Sequence, residues 1–215
     1  MPFGYPITLE LQGCRAVVIG ELAVRERKHQ GLLAAGADVT IIAEEPSIIL
    51  DALETEGRAK VVRRDYEPGD LAGAAIAVAS SSDPEVREAI WIESRDEHVL
   101  LNCMDDIPHC DWAAPALVRR GELILAISTG GRSPALARRL REDLSRQFGP
   151  EWTDMLEVLG EVRDETSALM PDLRDRSRRW QRALDLDELR ELILDGEPLE
   201  AAARLKARLL EGVSA

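Results

Sequence analysis

Two short stretches of the chain hold residue types that can do chemistry. In "NCMDDIPHCDW" (102–112) the neighbouring carboxylates Asp105 and Asp106 follow an apolar run. A carboxylate at such a strand end can act as a general base or receive a metal ion. The ordinary alternative is an Asx turn ahead of Pro108. His109 and Cys110 come next, but two adjacent soft ligands cannot close a structural metal site, so no metal ligands are assigned. The second stretch is "ISTGGRSPALARRLR" (127–141). Backbone amides of Ser128, Thr129, Gly130 and Gly131, with the helix N-terminus after Ser133, suit an anion-binding concavity beside Arg132. A capped helix start explains Ser133 and Pro134 equally well. The adjacent permissive glycines tilt the reading towards binding.

A third stretch, "RAVVIGELAVRERKHQGLLAAGADVTIIAEEP" (15–46), has the outline of a nucleotide-binding strand–helix–strand unit. Such a unit normally carries G-x-G-x-x-G: the first glycine makes the turn, the second admits the pyrophosphate, the third lets helix pack on strand. Here the run reads Gly20-Glu21-Leu22-Ala23-Val24-Arg25. Gly20 can still turn the chain. Glu21 places a carboxylate where a phosphate would sit, whereas Arg25 can meet an anion if it points outward.

These residues need a frame, and the order of apolar runs supplies one. Strands are expected at 14–20, 38–45, 59–66, 74–82 and 98–106. One helix is expected over 22–37, ending near Gly36, and another over 83–97 with Pro84 in its first turn. This alternation predicts an α/β fold: a Rossmann-like, doubly wound parallel sheet whose ligands lie beyond the carboxyl ends of the strands. Gly20, Glu44, Ser80 to Ser82 and Asn102 to Asp106 then share one edge. A short strand pair turning at Arg120-Gly121-Glu122 and a helix after Ser133 form a small α+β region. From about 150 the leucine spacing is helical, with a turn at Gly196-Glu197-Pro198. The expected divisions are 1–113, 114–149 and 150–215. The arginine-rich helix "DLRDRSRRWQRAL" (172–184) reads as a solvated or dimer-facing element.

Composition narrows the partners. The 215 residues are 45% hydrophobic, enough for a buried core, and no apolar run is long enough to span a membrane. A formal net charge of −13 argues against nucleic acid as a partner. Lysine occurs only as Lys28, Lys60 and Lys206, so the cations are almost all arginines, which grip carboxylates in a bidentate way. Cys14, Cys103 and Cys110 suit free thiols in a reducing cytoplasm, and the N-terminal stretch lacks a secretory n-region and h-region.

The chain resembles the precorrin-2 dehydrogenase/sirohydrochlorin ferrochelatase family, the N-terminal module of siroheme synthases. The segments that carry the likeness are "YPITLELQGCRAVVIG", "RERKHQGLLAAGADVTIIAEE", "DYEPGDLAGAAIAVASSSDPEV" and "LLNCMDDIPHCDWAAPALVRRGELILAISTGGRSPALARRLREDL". The resemblance implies a homodimer with an NAD-binding Rossmann domain, a central dimerisation region and a helical domain. It implies NAD-dependent oxidation of precorrin-2, insertion of Fe²⁺ as substrate metal, or both. It places the catalytic carboxylate at Asp105, the cofactor side at Gly20, Glu44 and Ser81, and the tetrapyrrole side at Ser128, Thr129, Gly130, Gly131, Arg132 and Ser133. The family's "G-G-G-x-V-A-x-R-K" is "GELAVRERK" here, a departure at the pyrophosphate turn. A chelatase without the dehydrogenase step, or a tetrapyrrole-binding protein without catalysis, are therefore the alternative readings.

Overall fold

The computed structural model describes residues 4–45 and 47–212, which divide into two compact units, Met1–Ala114 and Pro115–Ala215. In the first unit, strand β1 (Arg15–Ile19) leads through α1 (Glu21–Arg25) and α2 (Lys28–Ala34) to β2 (Asp38–Ile42). Helix α3 (Ile48–Thr55) and β3 (Lys60–Val62) follow, then β4 (Ile76–Ala79), α4 (Pro84–Asp96) and β5 (Leu100–Cys103). All five strands are parallel, in the order β3-β2-β1-β4-β5. The chain reverses its winding between β1 and β4. That is the expected doubly wound sheet.

Alternation along β1 explains why both faces must be covered. Ala16 and Val18 join Leu32, Leu50 and Leu53 on one face. Val17 and Ile19 join Leu71, Ile90 and Leu101 on the other. A strand buried on both sides has no polar positions to spare, hence the unbroken "AVVI".

The helix expected over 22–37 is in fact two helices, separated at Arg27, which adopts a left-handed conformation (φ 54°). Packing requires the break. Ala23 and Leu32 are both buried in the same core, yet nine residues of continuous helix would put them about 180° apart. Helix α3 lies in a stretch to which the sequence reading assigned no element; it buries Leu50 and Leu53. Between β3 and β4 there is no helix. Residues 63–75 form a strap in which Arg64 pairs with Asp70 (2.7 Å) and Glu93 accepts from the amides of Gly69 (3.1 Å) and Leu71 (2.8 Å).

Gly20 ends β1 with φ 88° and ψ 153°, open only to glycine. A Cβ there would run into the backbone carbonyl and hydroxyl of Ser80 at the end of β4.

The second unit opens with an antiparallel hairpin, β6 (Ala116–Arg120) and β7 (Leu123–Ile127), turning at Gly121 (φ 55°). Helix α5 (Pro134–Gln147) follows, capped by the Ser133 hydroxyl accepting from the Leu136 amide (3.2 Å). Helices α6 (Glu151–Ser167), α7 (Leu173–Ala183), α8 (Leu186–Leu194) and α9 (Pro198–Leu210) enclose Met155, Val162, Leu189, Leu205 and Leu209. The hairpin is one-sided: Val118 is buried, while Leu117 and Ile124 on the other face are exposed.

Gly20→Ala should destabilise the first unit by about 2–4 kcal/mol, because the obstacle is backbone and cannot rotate away. Urea denaturation followed by circular dichroism measures it.

Candidate functional site

The carboxyl ends of β1, β4 and β5 open onto a cavity of about 670 Å³, at the point where the sheet's connections change direction. Its walls include Leu22 and Arg25 from α1, Ser80 to Ser82 after β4, and Asp105 and Asp106 after β5.

The wall from α1 is built by long-range contacts. The Ser80 hydroxyl donates to the Ile19 carbonyl (3.2 Å) and accepts from the Ala23 amide (3.1 Å). One of the first-turn amides that a phosphate would use is therefore already occupied. The Glu21 carboxylate accepts from the amides of Glu44 (2.8 Å) and Glu45 (3.2 Å), lacing the first helix to the end of β2. Burial by itself would raise the Glu21 pKa. The amides of Glu21, Glu45 and Glu44 and the nearby Arg25 charge outweigh it, so the group lies below the usual carboxylate range.

The wall after β5 separates the two neighbouring aspartates. Asp106 is engaged: His109 Nδ1 lies 2.8 Å from its carboxylate and Arg87 Nε 3.3 Å away. Arg87 also donates to the Ser81 carbonyl (2.8 Å), joining the loops after β4 and β5. His109 is flanked on its other nitrogen by Glu88 (3.3 Å) and packs on the Trp91 ring. Asp105 stands in the left-handed region (φ 61°), exposed at the cavity, and among the described residues its carboxylate has no hydrogen-bond or ion-pair partner. Cys103 is no rival nucleophile, since burial, with Asp106 and Cys110 beside it, pushes its thiol up to about 11. Among the described residues no group of three or more His, Cys, Asp or Glu side chains is placed to hold a metal ion.

Of the residues singled out from the sequence, Ser81 and Asp105 line this cavity, and Gly20 forms the turn at its edge. Glu44 contributes its amide to Glu21, while Glu45 lines the cavity wall. Ser80 and Arg87 were not assigned roles from the sequence. Their partners lie 57 and 61 residues away for Ser80 and in two different loops for Arg87, and no local pattern reports that.

The Ser128–Ser133 turn belongs to the second unit. Gly130 (φ 59°) and Gly131 (φ 77°) are both left-handed, so the paired glycines are a backbone requirement. The turn satisfies much of itself: Ser128 accepts from the Gly130 amide (3.2 Å), Thr129 from the Ser133 amide (3.2 Å), and the Thr129 carbonyl from the Arg132 amide (3.1 Å). Among the described residues the Gly131 and Ala135 amides keep no such partner, and Arg132 has no acidic partner.

A doubly wound sheet with its cavity at the reversal of strand order defines a nucleotide-binding class of α/β protein. A family model described as "Putative NAD(P)-binding" matches residues 7–116, and one described as "Sirohaem biosynthesis protein central" matches residues 120–147. The chain belongs to the precorrin-2 dehydrogenase/sirohydrochlorin ferrochelatase family, the N-terminal module of siroheme synthases. It is 31% identical over 209 residues to a siroheme synthase of Pseudomonas paraeruginosa, covering 97% of this chain and 45% of that protein. With a siroheme synthase of Chromobacterium violaceum it shares 30% over 208 residues, 97% of this chain and 44% of the relative. The chain thus spans less than half the length of these relatives. A solved structure titled "SirC, precorrin-2 dehydrogenase" superposes with a TM-score of 0.67 at 27% identity, over 97% of this chain and 100% of that one.

The lowered Glu21 pKa gives a pH test. A folded-state pKa below the unfolded one stabilises the protein at neutral pH, and the contribution disappears as pH falls through the folded value. Glu21→Gln should therefore lower the melting temperature at pH 7, with the difference from the parent closing below about pH 4. Paired thermal melts across that range measure it.

Proposed function

We propose that this chain is a siroheme-biosynthesis enzyme that oxidises precorrin-2 to sirohydrochlorin with NAD⁺. The observation that carries this reading is Asp105, an unpartnered carboxylate at the rim of the sheet's ligand cavity, in a chain whose structural neighbour is titled a precorrin-2 dehydrogenase. The cavity's volume, the hydroxyls of Ser81 and Ser82 and the close turn at Gly20 fit a dinucleotide. Gly20, Ser81 and the β2 end at Glu44 form the cofactor side. NAD⁺, when bound, supplies the hydride acceptor. The chain's own task is the proton: oxidation removes a hydride and a proton from the macrocycle, and Asp105 is the base that takes the proton.

Precorrin-2 carries many carboxylates. In the second unit, Ser128, Thr129, Gly130, Gly131, Arg132 and Ser133 form the tetrapyrrole side, with the free Gly131 amide and the Arg132 guanidinium as anion contacts. We assign residues 1–113 to the nucleotide, 114–149 to dimerisation and tetrapyrrole binding, and 150–215 to a helical domain. The exposed apolar face of the hairpin, at Leu117 and Ile124, supports a homodimer. The free cysteines support a cytoplasmic setting, and among the described residues no helix is long and apolar enough to cross a membrane.

The crowded pyrophosphate turn favours a second activity to be measured beside the first. Insertion of Fe²⁺ into sirohydrochlorin requires loss of two pyrrole protons and no nucleotide, and Asp105 can serve that step too. Following sirohydrochlorin absorbance with Fe²⁺ and without NAD⁺ distinguishes the two.

Asp105→Asn should lower kcat for NADH formation from precorrin-2 by about 10²–10⁴-fold without weakening NAD⁺ binding. Unimpaired turnover would overturn the assignment, and unchanged tetrapyrrole binding without turnover in the parent protein would mark a carrier. Leu117→Glu combined with Ile124→Glu should convert a dimer into monomer by light scattering.

A further inference from the structure

We infer that Arg25 is the anion contact of the cavity in the first unit, meeting a ligand's diphosphate with a side-chain guanidinium in place of the usual cradle of backbone amides. The inference rests on the nucleotide reading above and says how that nucleotide is held.

Its basis is a count of donors. Helix α1 is only five residues long, so its end carries little of a helix dipole. The Ala23 amide is taken by the Ser80 hydroxyl and the Val24 amide by the Gly20 carbonyl (3.3 Å). The Glu21 amide faces its own carboxylate. Only the Leu22 amide is left, beneath a leucine side chain that itself lines the cavity. One amide cannot balance the two negative charges of a diphosphate.

The charges on the wall make the need greater. Glu21, Glu45, Asp105 and Asp106 are acidic, against two cations, Arg25 and Arg87. Arg87 is committed to Asp106 and to the Ser81 carbonyl. Arg25 makes no hydrogen bond and no ion pair among the described residues, and it is exposed on the cavity side of the helix. Glu21, which feels the Arg25 charge, has its carboxylate occupied by the amides of Glu44 and Glu45. With Glu21 so engaged the two form no ion pair, and the guanidinium is free to form paired N–H bonds to phosphate oxygens.

Isothermal titration of the full-length protein with NAD⁺, ADP and adenosine tests this. Arg25→Gln should weaken NAD⁺ and ADP about 10- to 100-fold, the range for a charge-assisted contact, and leave adenosine unchanged. Arg25→Lys should recover part of the loss, and Glu21→Gln should tighten ADP by removing an opposing charge. Arg25 is exposed and unbonded, so the two Arg25 variants should melt close to the parent, which checks their folding, while Glu21→Gln is compared with the parent below about pH 4, where their stabilities converge. Equal binding of NAD⁺ by Arg25→Gln and the parent overturns the inference and leaves the nucleotide reading standing. A parallel loss of adenosine also overturns it, since the effect would then be one of shape. If the parent binds none of the three probes, the nucleotide reading fails and this inference fails with it.

Discussion

The contact on which the rest of the first unit depends is the close approach of Gly20 to Ser80, where β1 and β4 end side by side. Parallel pairing brings Ile19 opposite Ala79, and the next residue of each strand must share the space beyond. Without a Cβ at position 20 the Ser80 carbonyl and hydroxyl fit against the turn. The hydroxyl then closes a bridge from the last carbonyl of β1 to the first turn of α1. The start of α1, the edge of the cavity and the Ser81–Ser82 loop all follow from that bridge.

The same bridge alters how the site can work. In a dinucleotide fold with three glycines, the first helical amides are left for phosphate. Here the Ala23 and Val24 amides are satisfied by protein, and a carboxylate that could have repelled the ligand is tied to the end of β2. Specific hydrogen bonds have replaced an open anion seat, moving the demand for positive charge from backbone to side chains. Across the cavity a comparable division separates the aspartates. Arg87 and His109 occupy Asp106, and the left-handed backbone at Asp105 turns the next carboxylate out of that network. Buried and paired carboxylates hold loops; an unpaired one at a cavity is available for proton transfer.

Much of the first unit was legible in the residues. A strand buried on both faces must be continuously apolar, so "AVVI" and "IAVA" declare themselves, β-branched residues mark "VTII", and Pro84 and Pro134 mark helix starts because their missing amides cost nothing there. The single helix expected over 22–37 did not survive. Its periodicity was locally acceptable, and only the shared core of Ala23 and Leu32 demands the left-handed break at Arg27. Helix α3 was missed for a related reason: eight residues with two buried leucines give a weak period, and packing rather than propensity makes them helical.

The amino-acid sequence by itself determined the order of the strands, the helix starts at Pro84 and Pro134, the turn at Gly20, the paired permissive glycines at 130 and 131, and the presence of two neighbouring aspartates at a strand end. Those follow from local rules: side-chain period, backbone freedom and capping. Only the tertiary structure decided which aspartate is engaged, where the Glu21 carboxylate goes and which of the two arginines on the cavity wall is unpaired among the described residues. Each of those outcomes is a competition for hydrogen-bond partners that reaches as far as 24 residues along the chain, and such a competition has no local signature.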